Sequence, residues 1–89
     1  MIFYKDYNLD DDDIQFLIEM EDMCINGQSE IILAYKDRSF VLEPHGKEVR
    51  VYAYGEVLGD YKNFDELVLK HKIDGKPLIE LTKDLEYGD

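Results

Sequence analysis

The period of hydrophobic and polar positions changes along this chain, and each change predicts an element. Between Asp13 and Asn26 the polar residues Gln15, Glu19, Asp22 and Asn26 recur at helical spacing as one narrow stripe, and almost everything else is apolar. Ile14, Leu17, Ile18 and Ile25 fall on one side, with Phe16, Met20 and Met23 roughly opposite. The pattern predicts a helix closed by Gly27 as a left-handed C′ residue. Partial alternation in "IQFLIEM" makes a strand the competing reading.

Segments of period two follow at residues 30–35 (EIILAY), 39–43 (SFVLE) and 48–54 (EVRVYAY), rich in β-branched and aromatic residues. Short polar turns join them, one containing Pro44 and Gly46. In the last segment Val49, Val51 and Ala53 face one way and Arg50, Tyr52 and Tyr54 the other, as in an antiparallel meander with one packed and one wet face. The connector 55–62 admits a short fourth strand. Helical period returns at residue 63, where Asn63 and Glu66 make a capping-box pattern ahead of a face lined by Phe64, Leu67, Val68 and His71. The turn "IDGK" breaks that helix, and Pro77 suits the first turn of a last short helix over 77–85. The fold class expected is α+β: an N-terminal helix, a three-stranded antiparallel meander (four-stranded if the connector pairs) and two short C-terminal helices on one face. Residues 1–89 form one domain, with 1–9 and 86–89 as its fraying ends; a short edge strand is the alternative at the C-terminus.

Eighty-nine residues suffice for one modest core. With 45% hydrophobic and 12% aromatic residues the chain is globular in composition, in spite of its charge. Charge changes the picture more. The net charge is −11, and residues 1–30 carry nine acids against the single base Lys5, whereas residues 31–89 carry twelve acids and nine bases. Such a surface repels phosphate polymers and anionic membranes, so a partner chosen by charge is a basic protein. One cysteine, Cys24, excludes an internal disulfide and is too little for a zinc site. No basic region precedes an apolar one at the start, and no apolar run approaches the ~20 residues that cross a bilayer. A cytoplasmic protein is expected.

Four consecutive aspartates, Asp10, Asp11, Asp12 and Asp13, stand directly before the helix. A calcium loop beginning at Asp10 would need an acid or Asn at 14 and Gly at 15, where the chain has Ile14 and Gln15; beginning at Asp11, it meets Gln15 and Phe16. The EF-hand is excluded. One aspartate can cap the helix while its neighbours sit near the positive end of the macrodipole. One cap explains one aspartate, however, and four like charges in a row repel. The surplus, together with Glu19 and Asp22, is the candidate acidic docking surface. Phe16, Met20 and Met23 are the candidate self-association seam, unless other elements bury them.

The remaining chemistry is thin. His45 lies in a Pro-His-Gly turn, and His71 reads as a core-edge residue. His71 and Asp74 would be two metal ligands without a third. Ser29 and Ser39 lack an elbow such as G-x-S-x-G, and Cys24 has no basic neighbour to activate it. Asp74-Gly75 reads as a tight turn, and no phosphate-binding glycine loop is present. There are seven tyrosines, and Tyr52 and Tyr54 share a predicted sheet face; aromatic sheet faces can stack bases, but the surrounding charge opposes that here. No catalytic, metal or cofactor set is expected.

Residues 25–40, "INGQSEIILAYKDRSF", give a helix ending in glycine, a glutamate-led strand ending in tyrosine, a basic turn and an aromatic. Residues 63–81, "NFDELVLKHKIDGKPLIEL", add a capped helix, Ile-Asp-Gly-Lys and a final helix. This order resembles a loose group of small, mostly uncharacterised acidic proteins of Gram-positive bacteria and their phages, built as a helix, three strands and helices. The resemblance covers residues 14–86 and includes no catalytic motif. It implies a fold more than a function, although some similar-looking phage proteins inhibit nucleic-acid machinery.

Taken together, the sequence points to a non-enzymatic protein–protein interaction module, in its sharper form an acidic inhibitor or nucleic-acid mimic docking on a basic partner. The alternative is a self-associating adaptor, a homodimer held by apolar contact and therefore tolerant of salt. An enzyme would need a deep pocket with a carboxylate of strongly raised pKa.

Overall fold

The computed structural model describes residue 2 and residues 4–88. Its first helix starts at a reciprocal cap. Asp10 is extended, its carboxylate accepts the Asp13 N–H at 2.9 Å, and the Asp13 carboxylate accepts the Asp10 N–H at 3.3 Å. That arrangement satisfies donors which a helix start otherwise leaves open. Helix α1 (Asp11–Glu21) then widens into a π-helical turn at Asp22–Asn26. The wide turn changes how the helix ends. The Gly27 N–H reaches the Asp22 carbonyl at 2.9 Å, and Gly27 is right-handed at φ −84°, not left-handed as expected. Gln28 takes the left-handed conformation instead, at φ 50°. Residue 27 must be small for another reason, since a Cβ there would lie 2.8 Å from the Met23 carbonyl oxygen.

Strands β1 (Ile31–Tyr35), β2 (Arg38–His45), β3 (Glu48–Ala53) and β4 (Glu56–Tyr61) form the meander. Helix α2 (Phe64–Lys70) follows, then a small hairpin of β5 (Lys72–Ile73) and β6 (Lys76–Pro77), two 3-10 turns (Leu78–Glu80 and Thr82–Asp84) and β7 (Leu85–Tyr87). The sheet order is β4-β3-β2-β1-β7, antiparallel throughout. The fold class is therefore α+β as the periodicity predicts, with five strands in the main sheet. The connector is a full strand, and at the C-terminus the edge strand holds over fraying for Glu86 and Tyr87, which pair with β1. Near the N-terminus Tyr4–Tyr7 forms a 3-10 turn, and Ile2, Tyr4 and Leu9 pack against the core. Residues 1, 3 and 89 of the expected frayed ends lie outside the described residues.

The last predicted helix differs most. Leu78, Ile79, Leu81, Thr82 and Leu85 are all buried. That pattern also suits one face of an α-helix, but Leu81 leaves helical geometry at φ −106° and ψ 5° and splits the segment into two 3-10 turns, which still bury these side chains. Thr82 donates its hydroxyl to the Ile79 carbonyl at 3.0 Å, which satisfies the one polar group among them. Helix α2 starts as predicted, with the Asn63 side chain accepting the Glu66 N–H at 2.8 Å; Glu66 reaches the Lys62 N–H instead of closing back on residue 63.

Strand register defines two faces. Ile31, Leu42 and Val51 form one cross-strand row of the packed face, and Leu33, Tyr35, Phe40 and Val49 extend it. Leu17, Met20 and Cys24 from the first helix and Phe64, Leu67 and Val68 from the second complete the core. On the wet face Ile32, Val41, Tyr52 and Val57 make one row and Glu43, Arg50 and Asp60 the next. The Gln28 amide donates to the Gly46 carbonyl at 2.8 Å and accepts the Gly46 N–H at 2.9 Å, fixing the end of the first helix to the β2–β3 turn.

Candidate functional site

The six acids named from the sequence separate into two groups. Asp10 and Asp13 are occupied by the fold. Besides capping each other, both carboxylates take Lys83 Nζ, each at 2.7 Å, from the second 3-10 turn. Asp13 is only 7% exposed, so this is a clamp between the helix start and the far end of the chain. Hydrogen bonds donated to Asp10 and Asp13 hold the Lys83 ammonium well above its usual range, and the same Lys83 bond, with the Asp13 N–H, holds Asp10 below the usual carboxylate range.

Asp11, Asp12, Glu19 and Asp22 are exposed. Helical spacing places them on the side of α1 and its π-turn away from the buried stripe Asp13, Leu17, Met20 and Cys24. Among the described residues the hydrogen-bond partners of Glu19 and Asp22 are neutral. Glu19 accepts from the Gln15 amide at 3.1 Å and Asp22 from the Asn26 amide at 2.7 Å, and no cation among the described residues pairs with either. Residues 11–26 contain no basic side chain. Ile18 and Met23 lie on the same exposed side, 47% and 40% accessible. Sequence patterning put Ile18 among the buried residues and so missed it as part of this surface; Gln15, Glu19, Asp22 and Asn26 flank it in a shallow groove.

Phe16, Met20 and Met23 do not form a common seam. Met20 is fully buried, Phe16 is half-buried with its ring 4.9 Å from that of Tyr87, and only Met23 is exposed. The core stripe runs between the two apolar groups that the sequence suggested, because Asp13, buried through its cap and Lys83, belongs to it.

The other candidates fall into place around structure. Burial pushes the Cys24 thiol up to about 11, which leaves it protonated and unreactive at neutral pH. Tyr52 donates its hydroxyl toward Glu30 at 2.7 Å and Glu43 at 2.9 Å, and those carboxylates raise its pKa. His45 is exposed and pairs with Glu43, and Arg50 pairs with Asp60 at 2.8 Å. Tyr54 leaves the strand face and stands in a turn. Among the described residues no three His, Cys, Asp or Glu side chains are placed to hold a metal ion, and no helix is long and apolar enough to cross a membrane. No family model, curated protein or solved structure matches this chain. Its geometry alone supports a functional reading.

Proposed function

We propose that this protein is a non-enzymatic binding module that docks the exposed face of α1 on a basic protein surface. One observation carries this reading: Asp11, Asp12, Glu19 and Asp22 share a solvent face, and no cation among the described residues pairs with them. Capping accounts for Asp10 and Asp13, so these four charges are free for recognition. Ile18 and Met23 add apolar contact among them, which gives such a docking face affinity beyond charge steering.

Spacing sharpens the choice of partner. From Asp11 to Asp22 the helix rises about 16 Å, an average of one charge per ~4 Å, with the charges in two clusters, Asp11–Asp12 and Glu19–Asp22, about 10 Å apart. A duplex carries one charge per ~1.7 Å of axis, but a single strand only one per ~3.4 Å. In mean charge density, though not in regular spacing, the helix therefore stands closer to a single strand than to a duplex, and a partner whose cations track one strand fits it.

Deca-lysine titrated into the nitrogen-15-labelled protein tests this surface. Saturable amide shifts are expected at Asp11, Asp12, Ile18, Glu19 and Asp22, fading toward about 0.3 M salt as the Debye length shrinks. Shifts spread evenly over all the acids of the chain, or no saturable shift, would overturn the assignment.

A further inference from the structure

Away from α1, a cleft of about 570 Å³ opens between the β3–β4 turn and the β5–β6 hairpin. Its size falls within the range of small-ligand and side-chain pockets. Phe40, Ala53, Leu58 and Ile73 give it apolar walls. His71, 7% exposed, lines it as well, and its ring packs on Phe40 with centroids 6.2 Å apart.

One nitrogen of that histidine is accounted for. Nδ1 lies 2.8 Å from the Tyr61 hydroxyl, which has no other acceptor among the described residues. We assign Tyr61 as the donor, so the neutral imidazole carries its proton on Nε2. Strand β4 is built for this contact. A Cβ on Gly59 would lie 2.7 Å from the Tyr61 hydroxyl oxygen, so glycine leaves room for the Tyr61 ring. Nε2 has no partner within the described chain. Since no side-chain nitrogen or oxygen there is both sealed from solvent and unpaired, Nε2 opens outward, and the cleft is the space His71 lines. Carried by a residue only 7% exposed, this donor thus stands at a cleft whose lining is apolar at Phe40, Ala53, Leu58 and Ile73 and charged at Arg38, Glu56, Lys72 and Asp74.

The mouth adds a second cue. Tyr54 is 88% exposed yet left-handed, at φ 51°, in a turn that favours Asn, Asp or Gly. Glu56, two residues on, lines the same mouth. An exposed aromatic face beside a carboxylate is a seat for a cation. Arg38 is already paired with Asp74 at 3.0 Å, Lys72 is the remaining cation of the lining, and the net charge of −11 draws basic chains inward.

We propose that this cleft receives an apolar side chain from an extended, basic segment of a partner protein, with a backbone carbonyl of that segment accepting from His71 Nε2–H. The flanking Arg or Lys of the segment rests on Tyr54 and Glu56. This site is separate from the acidic face of α1 and stands or falls without it.

Three capped tripeptides serve as probes against the labelled protein: acetyl-Arg-Phe-Arg-amide, acetyl-Arg-Gly-Arg-amide and acetyl-Glu-Phe-Glu-amide. Arg-Phe-Arg is expected to give saturable shifts at Phe40, Ala53, Leu58 and Ile73 and at the His71 ring Nε2, in the millimolar range. The other two should bind roughly tenfold more weakly, since each lacks the anchor or the charge. Tyr54→Asn should keep the dispersed spectrum of the folded domain and weaken Arg-Phe-Arg several-fold. Any one of four results would overturn the proposal: no saturable shift at the cleft, equal response to all three peptides, shifts confined to α1 with both arginine peptides, or cleft shifts that track protein concentration without any peptide, which would make a second copy the occupant.

Discussion

At the scale of single residues, four adjacent aspartates of one type do two different jobs. Asp10 and Asp13 lie three apart, the spacing of a helix cap, and both take Lys83; Asp11 and Asp12 point to solvent. The cap was legible from Asp10–Asp13 standing before an apolar run. Lys83 was not, because its partner is 70 residues away and no local pattern announces it. Asp13→Ala removes a buried acceptor from both the Asp10 N–H and Lys83, and should cost about 1–3 kcal/mol in urea unfolding. Asp11→Asn and Asp12→Asn should each stay within about 0.5 kcal/mol of the parent. Equal losses at all three positions would refute this division. Tyr54 is a second residue whose identity opposes its conformation. Tyr54→Asn should raise the unfolding midpoint by relieving a left-handed aromatic, a gain of up to about 1 kcal/mol, in line with the common trade of stability for a functional surface.

At the scale of elements, the meander was legible because its alternation is clean, as in Val49, Val51 and Ala53 against Arg50 and Tyr52. Strand β4 was less legible for a physical reason. Its pairing with β3 shifts between Val51 and Tyr52, leaving Leu58 as the extra residue of a bulge, and Gly59 interrupts the alternation. The helical period predicts α1, and of the two readings open for Met20, seam or core, burial decides for the core, because the buried Asp13 turns the packed stripe toward it. Met20→Ala should accordingly cost about 2–5 kcal/mol, the range for emptying a fully buried site, where a surface residue would cost little. Gly59→Ala tests β4 directly. The added methyl must displace the Tyr61 ring, so urea unfolding should show a loss of about 1–3 kcal/mol and the His71 ring signals should move. Unchanged ring signals would mean that Gly59 does not hold Tyr61 against His71.

At the scale of the whole molecule, charge and burial set how stability depends on pH. Burial holds His71 below its ordinary value of 6.5, so the unfolded chain binds its proton more readily than the folded one. Its contribution to stability is complete above about pH 6.5 and is lost as pH falls through the lower folded value. Tyr61 bonds to it, Glu56, Lys72 and the Arg38–Asp74 pair line the same cleft, and the two full charges of that pair largely offset each other. Urea midpoints measured from about pH 7.5 to pH 5 should fall more steeply for the parent than for His71→Gln. The charge asymmetry itself was fully legible from composition. Its division between structure and surface was not, since it depends on which carboxylates the tertiary fold brings to a lysine.

The most direct test of the central claim is capture of partners from a lysate of the source cell on the immobilised protein, eluted with a salt gradient, beside a variant carrying Asp11→Asn, Asp12→Asn, Glu19→Gln and Asp22→Asn. Thermal unfolding of the variant should stay close to the parent, because these carboxylates lie outside the Lys83 clamp and make only exposed contacts, Glu19 with Gln15 and Asp22 with Asn26. We expect the parent to retain a basic protein that is released by moderate salt and displaced by single-stranded DNA, and the variant to retain none of it. Equal recovery on both surfaces would contradict docking through this face of α1.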